Sequence, residues 1–476
     1  MFRKKYANVI ISDMKLPIEF TDRMKEQLGD GFDAFLSSFD EPSIKSFRIN
    51  RRLIPEVDYA RMGGVFAGGG VPESVEIWPG AYYYTEDGPG KSPYHEAGAY
   101  YIQEASAMLP VSMLDVDDSG MRVLDLCAAP GGKTTQIADL MRGRGLLVAN
   151  EYVPSRASIL SENVERMGVT NALVICADPK DLADRFPAFF DRILVDAPCS
   201  GEGMFRKNPE AVSEWSPENV TMCAERQDMI LDCAALMLAP GGKIVYSTCT
   251  FSPEEDEGSI TRFLERNPAF TICDEPHRLY PQTFRGEGHF AASMKMRKGD
   301  GSGFSFSQTP GNRQDHQDPF PLIHSSKMRI RNRPLFSFDT FLDETLNKDG
   351  EFYKTLAENT DRLLEFGDSL YLAPEFMPDI KGLKVYRAGI KLGTFKKNRF
   401  EPDHALSHVL KCGDANSYVN LAVDSNEVRQ YLSGMTINCD REMKGWCLVC
   451  VAGFPLGWGK AAGGVIKNHY PKGLRK

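Results

Sequence analysis

The sequence has no long apolar run, which excludes a membrane-spanning helix. No uninterrupted apolar stretch in its 476 residues approaches the roughly 18 residues that such a helix needs. The first residues, MFRKKYANVIISDMKLP, have only a short apolar stretch before charge returns, so they do not predict a secretory signal. We therefore expect a cytoplasmic protein.

The cysteines lack the paired spacing of a metal site. The 11 cysteines are an odd number, spread from Cys127 to Cys450 without a CxxC…CxxC pattern, so we expect no metal and free thiols in a reducing compartment. Cys447 and Cys450 form a lone CxxC, but the segment WCLVCVAGF is apolar and indicates a buried strand instead.

Positive charge is in deficit, but it is unevenly distributed. The chain has 56 Lys and Arg against 65 Asp and Glu, a formal charge of -9, which argues against a protein that simply coats itself with nucleic acid. Three segments nevertheless contain no acid: 324–333 has four basic residues, 380–399 has seven and 455–476 has five. The chain is therefore polarised rather than uniformly acidic.

The composition is that of a globular protein, and the length suggests two to four domains. The segment after Leu16 has apolar residues at helical spacing, which predicts a helix with a break near Gly29 and Gly31. The next segment, KSFRINRRLIP, indicates a basic strand or arm, with a solvated face as the alternative; its arginines are Arg48, Arg51 and Arg52.

From residue 121 the pattern changes to five strand-like runs separated by helical segments. The runs are MRVLDLC, GLLVANEY, ALVICADP, DRILVDAPC and GGKIVYSTC, which predict an open, mostly parallel α/β sheet. The helix before the last run has Ser216 as a cap, Pro217 in its first turn and a stop at Pro240-Gly241-Gly242.

The segment LDLCAAPGGKTT, residues 124–135, predicts a strand that enters a Gly-rich turn and then a helix. Such a turn exposes backbone N–H groups in the crevice where α/β sheets bind ligands. It is not a phosphate loop, because Cys127 stands where GxxxxGK[ST] requires glycine, and it is not GxGxxG.

Acidic residues end the next three runs. Glu151 can accept hydrogen bonds from ribose hydroxyls, Asp178 suits an adenine amino group, and Asp196 ends the fourth run. Each alone could be structural or a helix cap. Together, beside the Gly-rich turn, they predict a nucleoside ligand without a phosphate chain.

Two further segments resemble one enzyme family. DAPCSGEGMFRKNP (196–209) and YSTCTFSPEEDEG (246–258), together with CAAPGGKT, are similar to the Sun family of RNA cytosine-C5 methyltransferases, which use S-adenosylmethionine. FRIN, YIQEASA, GEGHF and LGTFKKNRFEPDHAL resemble the RsmF-type branch, which acts on small-subunit ribosomal RNA.

The resemblance implies a Rossmann-like class I methyltransferase sheet, an N-terminal α+β RNA-binding lead-in and a C-terminal mixed α/β region that includes a PUA-like domain. We expect an N-terminal domain over 1–105, a catalytic domain over 106–297, a flexible linker over 298–322 and the C-terminal region over 323–476. The implied partner is RNA, as small-subunit rRNA or the 30S subunit, with a monomer as the default.

Cytosine C5 is too poor a nucleophile to take a methyl group unaided, so a thiolate must first add to C6. By resemblance Cys249 is that nucleophile, Cys199 assists product release, and Asp196 contacts the cytosine or the cofactor. The resemblance assigns the cofactor to Cys127, Ala128, Ala129, Pro130, Gly131, Gly132, Lys133, Glu151, Asp178 and Asp196.

Other residues have less specific expectations. Lys133 either touches the cofactor, orients the aspartate loop or is a surface lysine, and Arg206 and Lys207 are expected to meet RNA phosphate. The acidic run 254–257 is interpreted as structural, at the start of a helix. Methylation of tRNA or DNA, and an RNA-binding ribosome-assembly factor without turnover, are the alternatives.

Overall fold

The computed structural model describes residues 9–11, 14–85, 89–297 and 336–476. The predicted linker 298–322 and the basic segment 324–333 therefore lie outside the described residues. No helix in the described part of the chain is long and apolar enough to cross a membrane.

The N-terminal region contains short helices and a three-stranded sheet. Its elements are β1 (Val9–Ile11), β2 (Met14–Leu16), α1 (Ile18–Leu28), α2 (Phe32–Ser37), β3 (Lys45–Ile49), α3 (Tyr59–Phe66), β4 (Ala81–Tyr84), α4 (Pro93–Glu96) and β5 (Tyr100–Ile102). The predicted helical break is confirmed, because α1 ends at Gly29, whose φ of +53° is a conformation that glycine adopts at little cost.

The middle of the chain alternates strands and helices. Its elements are α5 (Leu109–Ser112), β6 (Arg122–Asp125), α6 (Gly132–Met141), β7 (Leu146–Asn150), α7 (Pro154–Arg166), β8 (Ala172–Ile175), α8 (Pro179–Arg185), β9 (Phe190–Asp196), α9 (Pro209–Glu214), α10 (Pro217–Met237), β10 (Leu238–Thr248), α11 (Glu257–Arg266), β11 (Phe270–Ile272), β12 (His277–Leu279) and β13 (His289–Met296).

These strands form the central sheet, in the order β11-β13-β10-β9-β6-β7-β8-β16, with β12 paired to β13. The five predicted strands, β6 to β10, pair in parallel, and this prediction is confirmed. The strand order reverses between β6 and β9, so a crevice opens at their carboxyl ends.

Helix α10 follows its predicted signals. The Ser216 hydroxyl accepts a hydrogen bond from the Asn219 N–H at 3.1 Å, and Pro217 occupies the first turn. The helix ends at Met237, and the Pro-Gly-Gly turn forms the irregular start of β10. Six of the predicted stripe residues lie on the helix and are buried: Val220, Cys223, Gln227, Ile230, Leu231 and Ala234. The seventh, Leu238, is buried as the first residue of β10 instead.

The C-terminal region adds two smaller sheets. Its elements are α12 (Phe336–Thr345), α13 (Glu351–Glu358), β14 (Leu363–Phe366), β15 (Ser369–Leu372), β16 (Val385–Ala388), β17 (Ile390–Lys396), β18 (Arg399–Pro402), α14 (His404–Val409), β19 (Tyr418–Leu421), α15 (Asn426–Leu432), β20 (Ile437–Asn438), β21 (Gly445–Val451), β22 (Phe454–Ala462) and β23 (Val465–Asn468). One sheet has the order β14-β15-β17-β18, and the other, the C-terminal sheet, has the order β19-β21-β22-β23-β20.

The two ends of the chain pack together. One apolar cluster contains Phe47 and Tyr100 of the N-terminal region together with Tyr431 and Val449 of the C-terminal region. Strand β16 leaves the C-terminal region and pairs antiparallel with β8, at the edge of the central sheet. The expected fold class, a Rossmann-like α/β sheet with a lead-in and a C-terminal mixed region, is confirmed.

The expectation of free thiols is correct for nine cysteines and wrong for two. Cys412 and Cys450 form a disulfide, because a short turn at 412–414 lies beside β21 and brings their Cα atoms to 6.5 Å. The predicted buried strand around Cys447 is confirmed as β21.

Candidate active site

Three loops meet in the crevice, at the carboxyl ends of β6, β9 and β10. Backbone hydrogen bonds hold them in register: the Ala197 N–H donates to the Ser247 carbonyl at 2.9 Å, and the Gly203 N–H donates to the Cys249 carbonyl at 2.8 Å. The loop after β9 contains Cys199, and the turn after β10 contains Cys249. The fold therefore brings together two cysteines that are 50 residues apart in sequence.

The two cysteine sulfurs are in contact. Cys199 Sγ and Cys249 Sγ are 3.4 Å apart, and both residues are partly buried. The hydrogen bond to Cys249, and then burial, raise the pKa of the Cys199 thiol well above its usual value. Cys199 therefore carries its proton at neutral pH and can donate it toward the Cys249 sulfur.

A buried carboxyl group fixes the Cys199 loop. Glu255 Oε2 accepts hydrogen bonds from the Ser200 N–H at 3.0 Å and from Gln227 Nε2 at 2.8 Å. Gln227 also donates to the Pro198 carbonyl at 3.0 Å. Burial raises the pKa of Glu255 to about 7. The acidic run is therefore structural, as expected, but Glu255 acts through these contacts rather than through a helix dipole.

Glu202, in the same loop, forms hydrogen bonds with three other segments of the chain. Its side chain is fully buried and accepts hydrogen bonds from Arg23 at 2.6 Å, from the Trp215 indole at 2.8 Å and from the Phe251 N–H at 3.0 Å. Arg23 lies on α1, so the N-terminal region helps to shape the crevice. Apart from its place in the PCSGEG segment, no pattern in the sequence signals this role of Glu202.

Asp196, at the end of β9, is the anionic centre of the crevice. Lys133 Nζ lies 2.9 Å from Asp196 Oδ2, and the Ser247 hydroxyl donates to Oδ1 at 2.8 Å. Burial opposes ionisation, but Lys133, followed by His289, outweighs it and holds the pKa of Asp196 well below its usual value. Asp196 is therefore an ionised acceptor at neutral pH.

Lys133 and His289 complete this centre. The Lys133 side chain is 10% exposed, so the surface-lysine alternative is wrong and the aspartate-orienting alternative fits. His289 begins β13, and its Nε2 lies 3.6 Å from Asp196 Oδ1, which is long for a hydrogen bond. Burial and the nearby Lys133 lower the pKa of His289. Reasoning from the sequence missed His289, although it lies in the quoted segment GEGHF.

The Gly-rich loop turns from β6 into α6 as predicted. Gly131 has a φ of +112°, a backbone conformation that glycine adopts at little cost. A Cβ at this position would also lie only 3.2 Å from a Leu160 methyl group, so a side chain would be crowded. Asp125, at the end of β6, accepts a hydrogen bond from the Thr134 hydroxyl at 2.6 Å, and burial raises the pKa of Asp125 to about 7. Burial also raises the pKa of the Cys127 thiol, and this side chain packs against the apolar cluster of the central sheet.

Glu151 and Asp178 lie at neighbouring strand ends. Glu151 directly follows β7, is buried, and lies 3.4 Å from Arg156. Asp178 comes three residues after the end of β8, is exposed, and caps α8 by accepting a hydrogen bond from the Lys180 N–H at 2.9 Å. The expectation that Asp178 ends a strand was therefore wrong, because the strand stops earlier and the aspartate caps the next helix.

This set of groups fits S-adenosylmethionine. The cofactor presents ribose hydroxyls and an adenine amino group, which are hydrogen-bond donors, and a positively charged sulfonium. Glu151, Asp178 and Asp196 offer three carboxylates: Glu151 directly follows β7, Asp178 lies three residues beyond β8, and Asp196 ends β9. Acceptors and negative charge are what such a ligand requires.

Arg48 supports the loop from the N-terminal region. Its side chain is fully buried, pairs with Asp139 at 2.7 Å, and donates to the Gly132 carbonyl at 2.9 Å and the Thr135 hydroxyl at 2.8 Å. The predicted strand is confirmed as β3, but the solvated-face alternative is wrong for Arg48, because β3 is the middle strand of its sheet and the Arg48 side chain is buried against α6. Arg52 is likewise turned inward, toward the Val409 carbonyl at 3.1 Å.

Arg206 does not have the role expected of it. Its side chain is 7% exposed, lies 2.6 Å from the buried Glu287, and donates to the Ser38 carbonyl at 2.8 Å. It is an internal cross-link rather than a phosphate contact, because Glu287 of the GEGHF segment neutralises it. Lys207, its exposed neighbour, lies 3.8 Å from Glu287.

The two described basic segments are only partly available to a ligand. In 380–399, three of the cations pair with carboxylates: Arg387 with Glu165, Lys391 with Asp403 and Arg399 with Glu401. In 455–476, Lys476 pairs with Glu96 at 2.7 Å. The exposed lysines of these segments without such an ion pair among the described residues are Lys381, Lys384, Lys396, Lys397, Lys460, Lys467 and Lys472.

Family sequence models match nearly the whole described chain. They are 16S rRNA methyltransferase RsmB/F over 111–295, the N-terminal domain of 16S rRNA methyltransferase RsmF over 16–105, the RsmF rRNA methyltransferase first C-terminal domain over 340–410, and the methyltransferase RsmF PUA domain over 418–476.

Curated relatives are similar over their full length. Two of them, both named ribosomal RNA small subunit methyltransferase F, come from Vibrio vulnificus strain YJ016 and Aeromonas salmonicida strain A449. The first is 32% identical and covers 97% of this chain and 98% of its own. The second is 34% identical and covers 93% of each.

Solved structures share the central fold. A methyltransferase homolog from Pyrococcus horikoshii is 28% identical with a TM-score of 0.52, and the match covers 58% of this chain and 94% of that one. NSun6 from Pyrococcus horikoshii with SFG is 21% identical with a TM-score of 0.53, covering 60% and 99%, and is evidence for the fold alone.

Proposed function

The chain belongs to the RsmB/F family of 16S rRNA methyltransferases, and from this premise we propose that it methylates carbon 5 of cytosine in small-subunit rRNA. It is an S-adenosylmethionine-dependent RNA methyltransferase. The observation that carries the finer proposal is the pair of sulfurs, Cys199 and Cys249, 3.4 Å apart. A methyltransferase acting on a nucleophilic nitrogen or oxygen has no need of two thiols in its crevice.

In this proposal the Cys249 thiolate adds to C6 of the cytosine. The new S–C6 bond breaks the C5–C6 double bond, and its electron pair makes C5 nucleophilic. The ionised Asp196 accepts a hydrogen bond from the exocyclic amino group, and the Lys133 ammonium, 2.9 Å from Asp196, stabilises the negative charge that the ring gains. When bound, S-adenosylmethionine supplies the methyl group.

Cys199 then removes the C5 proton. The hydrogen bond to Cys249 is the first cause of the raised pKa of Cys199, ahead of burial, and the bond between Cys249 and C6 removes that first cause. In this proposal Cys199 gives its proton to solvent at that stage. The Cys199 thiolate takes the proton from C5, the C5–C6 double bond re-forms, and the S–C6 bond breaks to release Cys249. Two sulfurs 3.4 Å apart can reach adjacent ring carbons from one face of the base.

The target base must leave its stack to reach the two cysteines, so we propose unpaired or extruded RNA as the substrate. We also propose that regions 1–105 and 323–476 bind the RNA around the catalytic region 106–297, with 298–322 as the linker. The sites proposed for the cofactor are the loop 127–133, Glu151, Asp178 and Asp196.

The test is methylation by the purified protein. Naked 16S transcript, 30S particles and, as the substrate alternative, tRNA are incubated with S-adenosylmethionine, and 5-methylcytosine is measured by mass spectrometry of the nucleosides. We expect product on ribosomal RNA, and a loss of about 10⁴-fold or more in Cys249→Ala, since the nucleophile has no substitute. Activity of Cys249→Ala near that of the unchanged protein would overturn the mechanism.

Cys199→Ala tests the second thiol. This variant should form the adduct and transfer the methyl group but release its RNA slowly, so a covalent complex should accumulate on denaturing gels. Cys223→Ala, on α10, is the matched control, because it also removes a buried thiol but lies outside the crevice loops. If Cys199→Ala turns over at the normal rate without a complex, the release role is wrong.

Two outcomes would favour the alternative functions. Product on tRNA alone would favour the tRNA alternative, and a calorimetric titration that detects no cofactor binding would favour a non-catalytic assembly factor.

A further inference from the structure

The residues that directly follow the two cysteines are in contact with each other. Ser200 comes after Cys199 and Thr250 comes after Cys249, and both side chains are buried. Their hydroxyl oxygens are 2.8 Å apart and share a hydrogen bond. This bond joins the loop after β9 to the turn after β10, one position beyond the pair of sulfurs. We call the two hydroxyl groups the Ser200–Thr250 bridge.

Two consecutive carboxyl groups hold the two sides of the bridge. Glu255 accepts a hydrogen bond from the Ser200 N–H at 3.0 Å, and Asp256 accepts one from the Thr248 hydroxyl at 2.6 Å. The Thr248 oxygen in turn accepts the Thr250 N–H at a longer 3.4 Å. Because residues 255 and 256 are adjacent, both loops are held at one point, just before α11.

The proposed reaction makes a narrow demand on the distance between the two sulfurs. One sulfur must bond to C6 and the other must take a proton from C5, and these two carbons are bonded neighbours in the ring. A misplacement of about 1 Å between reacting groups can cost about 100-fold in rate. Backbone hydrogen bonds join the two loops at Ala197 and at Gly203, and the bridge lies between these positions, beside the sulfurs.

We propose that Ser200 and Thr250 are positioning residues, whose hydroxyl groups keep the Cys199 and Cys249 sulfurs at the separation that release of the product requires. Each hydroxyl group acts through the cysteine before it and does not itself take the proton. Loss of the bridge should therefore leave adduct formation and methyl transfer largely intact, because these steps need Cys249 alone. It should slow the removal of the C5 proton by Cys199. This role rests on the proposed function.

The first measurement determines how well the two sulfurs are placed, without RNA. The full-length protein is equilibrated with oxidised and reduced glutathione. The Cys249 thiolate displaces one glutathione thiolate from the oxidised form, the Cys199 thiolate displaces the second, and a Cys199–Cys249 disulfide is formed. Peptide mass spectrometry quantifies that disulfide. In Thr250→Val its equilibrium constant should fall about fivefold, the contribution of one ordinary hydrogen bond. Thr250→Ser keeps a hydroxyl group and should restore most of the value.

The second measurement follows the reaction on ribosomal RNA with S-adenosylmethionine. Thr250→Val and Ser200→Ala should transfer the methyl group but accumulate the covalent complex on denaturing gels, because release has become slow. We expect kcat to fall about tenfold at an unchanged KM for RNA. Thr250→Ser should release its product at close to the normal rate.

Ser252→Ala is the matched control. Ser252 is buried in the same turn, but its hydroxyl donates to Glu254 at 2.8 Å rather than to the other loop. This variant should keep the normal disulfide equilibrium and the normal release rate. The double variant Ser200→Ala/Thr250→Val leaves neither hydroxyl group unpaired, so it should regain the folding stability that the single variants lose. It should not regain the disulfide equilibrium.

Three results would overturn the proposal. The first is an equal disulfide equilibrium in Thr250→Val and the unchanged protein, and the second is normal release in Thr250→Val despite a lowered equilibrium. The third is an equilibrium that recovers together with stability in the double variant, which would show a purely structural role. Because the equilibrium is measured without RNA, absence of 5-methylcytosine in the unchanged protein would refute the proposed function separately from the placement of the sulfurs.

Discussion

The catalytic crevice and the C-terminal sheet both contain basic side chains, but in different states. In the crevice Lys133 is buried and ion-paired with Asp196, and nearby Arg206 is buried and ion-paired with Glu287. On the C-terminal sheet, Lys460 of β22 and Lys467 of β23 are exposed and have no carboxylate partner among the described residues. A cation neutralised by a buried carboxylate orders the protein around it, whereas an unpaired one remains available to phosphate. The sign of the charge alone does not distinguish these roles.

The largest effect should follow from breaking a buried pair near the crevice. Arg206→Met removes the buried cation that lies closest to the buried Glu287 carboxylate, and we expect the free energy of unfolding to fall by about 3–5 kcal/mol. Chemical denaturation monitored by fluorescence measures it. Lys207→Met, one residue further and exposed, should change the same quantity by less than about 1 kcal/mol. If both variants lost the same free energy of unfolding, the distinction between buried, ion-paired cations and exposed cations would be contradicted.

The next largest effect should come from Lys133, and it tests whether this buried cation acts in catalysis or only in structure. Lys133→Met removes the main cause that keeps Asp196 ionised, so we expect kcat to fall about 100-fold. The pKa of Asp196 should rise, since burial then prevails, and the activity profile should acquire a new loss on its acidic side. Lys133→Arg keeps the charge and should lose about tenfold or less in kcat. An unchanged profile in Lys133→Met would show that Lys133 does not control Asp196.

The smallest effect concerns Glu255, a buried carboxyl group that makes no ion pair with the described residues. Burial raises the pKa of Glu255 to about 7, above its value in the unfolded chain, so the folded state binds the proton more tightly. The stability from this group is therefore greatest at low pH and declines as pH rises toward 7, by about 2 kcal/mol between about pH 5 and 7. Glu255→Gln should lack this decline in urea unfolding across that range. Glu254→Gln, at the exposed neighbouring position, should retain it.

Local patterns in the sequence predicted the central sheet well. Its five parallel strands, the Gly-rich turn, the capped helix α10 and the crevice that unites Cys199 with Cys249 all follow from strand-like runs and from the rule that parallel strands align their carboxyl ends. The fold class and the family were predictable because these motifs are local and occur in a fixed order.

Contacts between distant segments were not predictable in the same way. Arg48 and Arg206 were interpreted as surface cations, since nothing near them in sequence reveals the partners Asp139 and Glu287. The role of His289 was missed for the same reason, because β13 reaches Asp196 only through antiparallel pairing with β10. Burial and partner identity depend on tertiary structure, which the periodicity of a single segment does not encode.

Strand β16 has a consequence for how the chain can be divided. It covers the β8 edge of the central sheet, and the Gly389 and Cys176 N–H groups extend the pairing to the Ala172 and Lys384 carbonyls. A protein truncated after residue 297 would expose the unpaired backbone of β8, and an open edge next to apolar strands invites aggregation. The C-terminal region therefore covers one edge of the catalytic sheet, and the two regions should be expressed together as one protein.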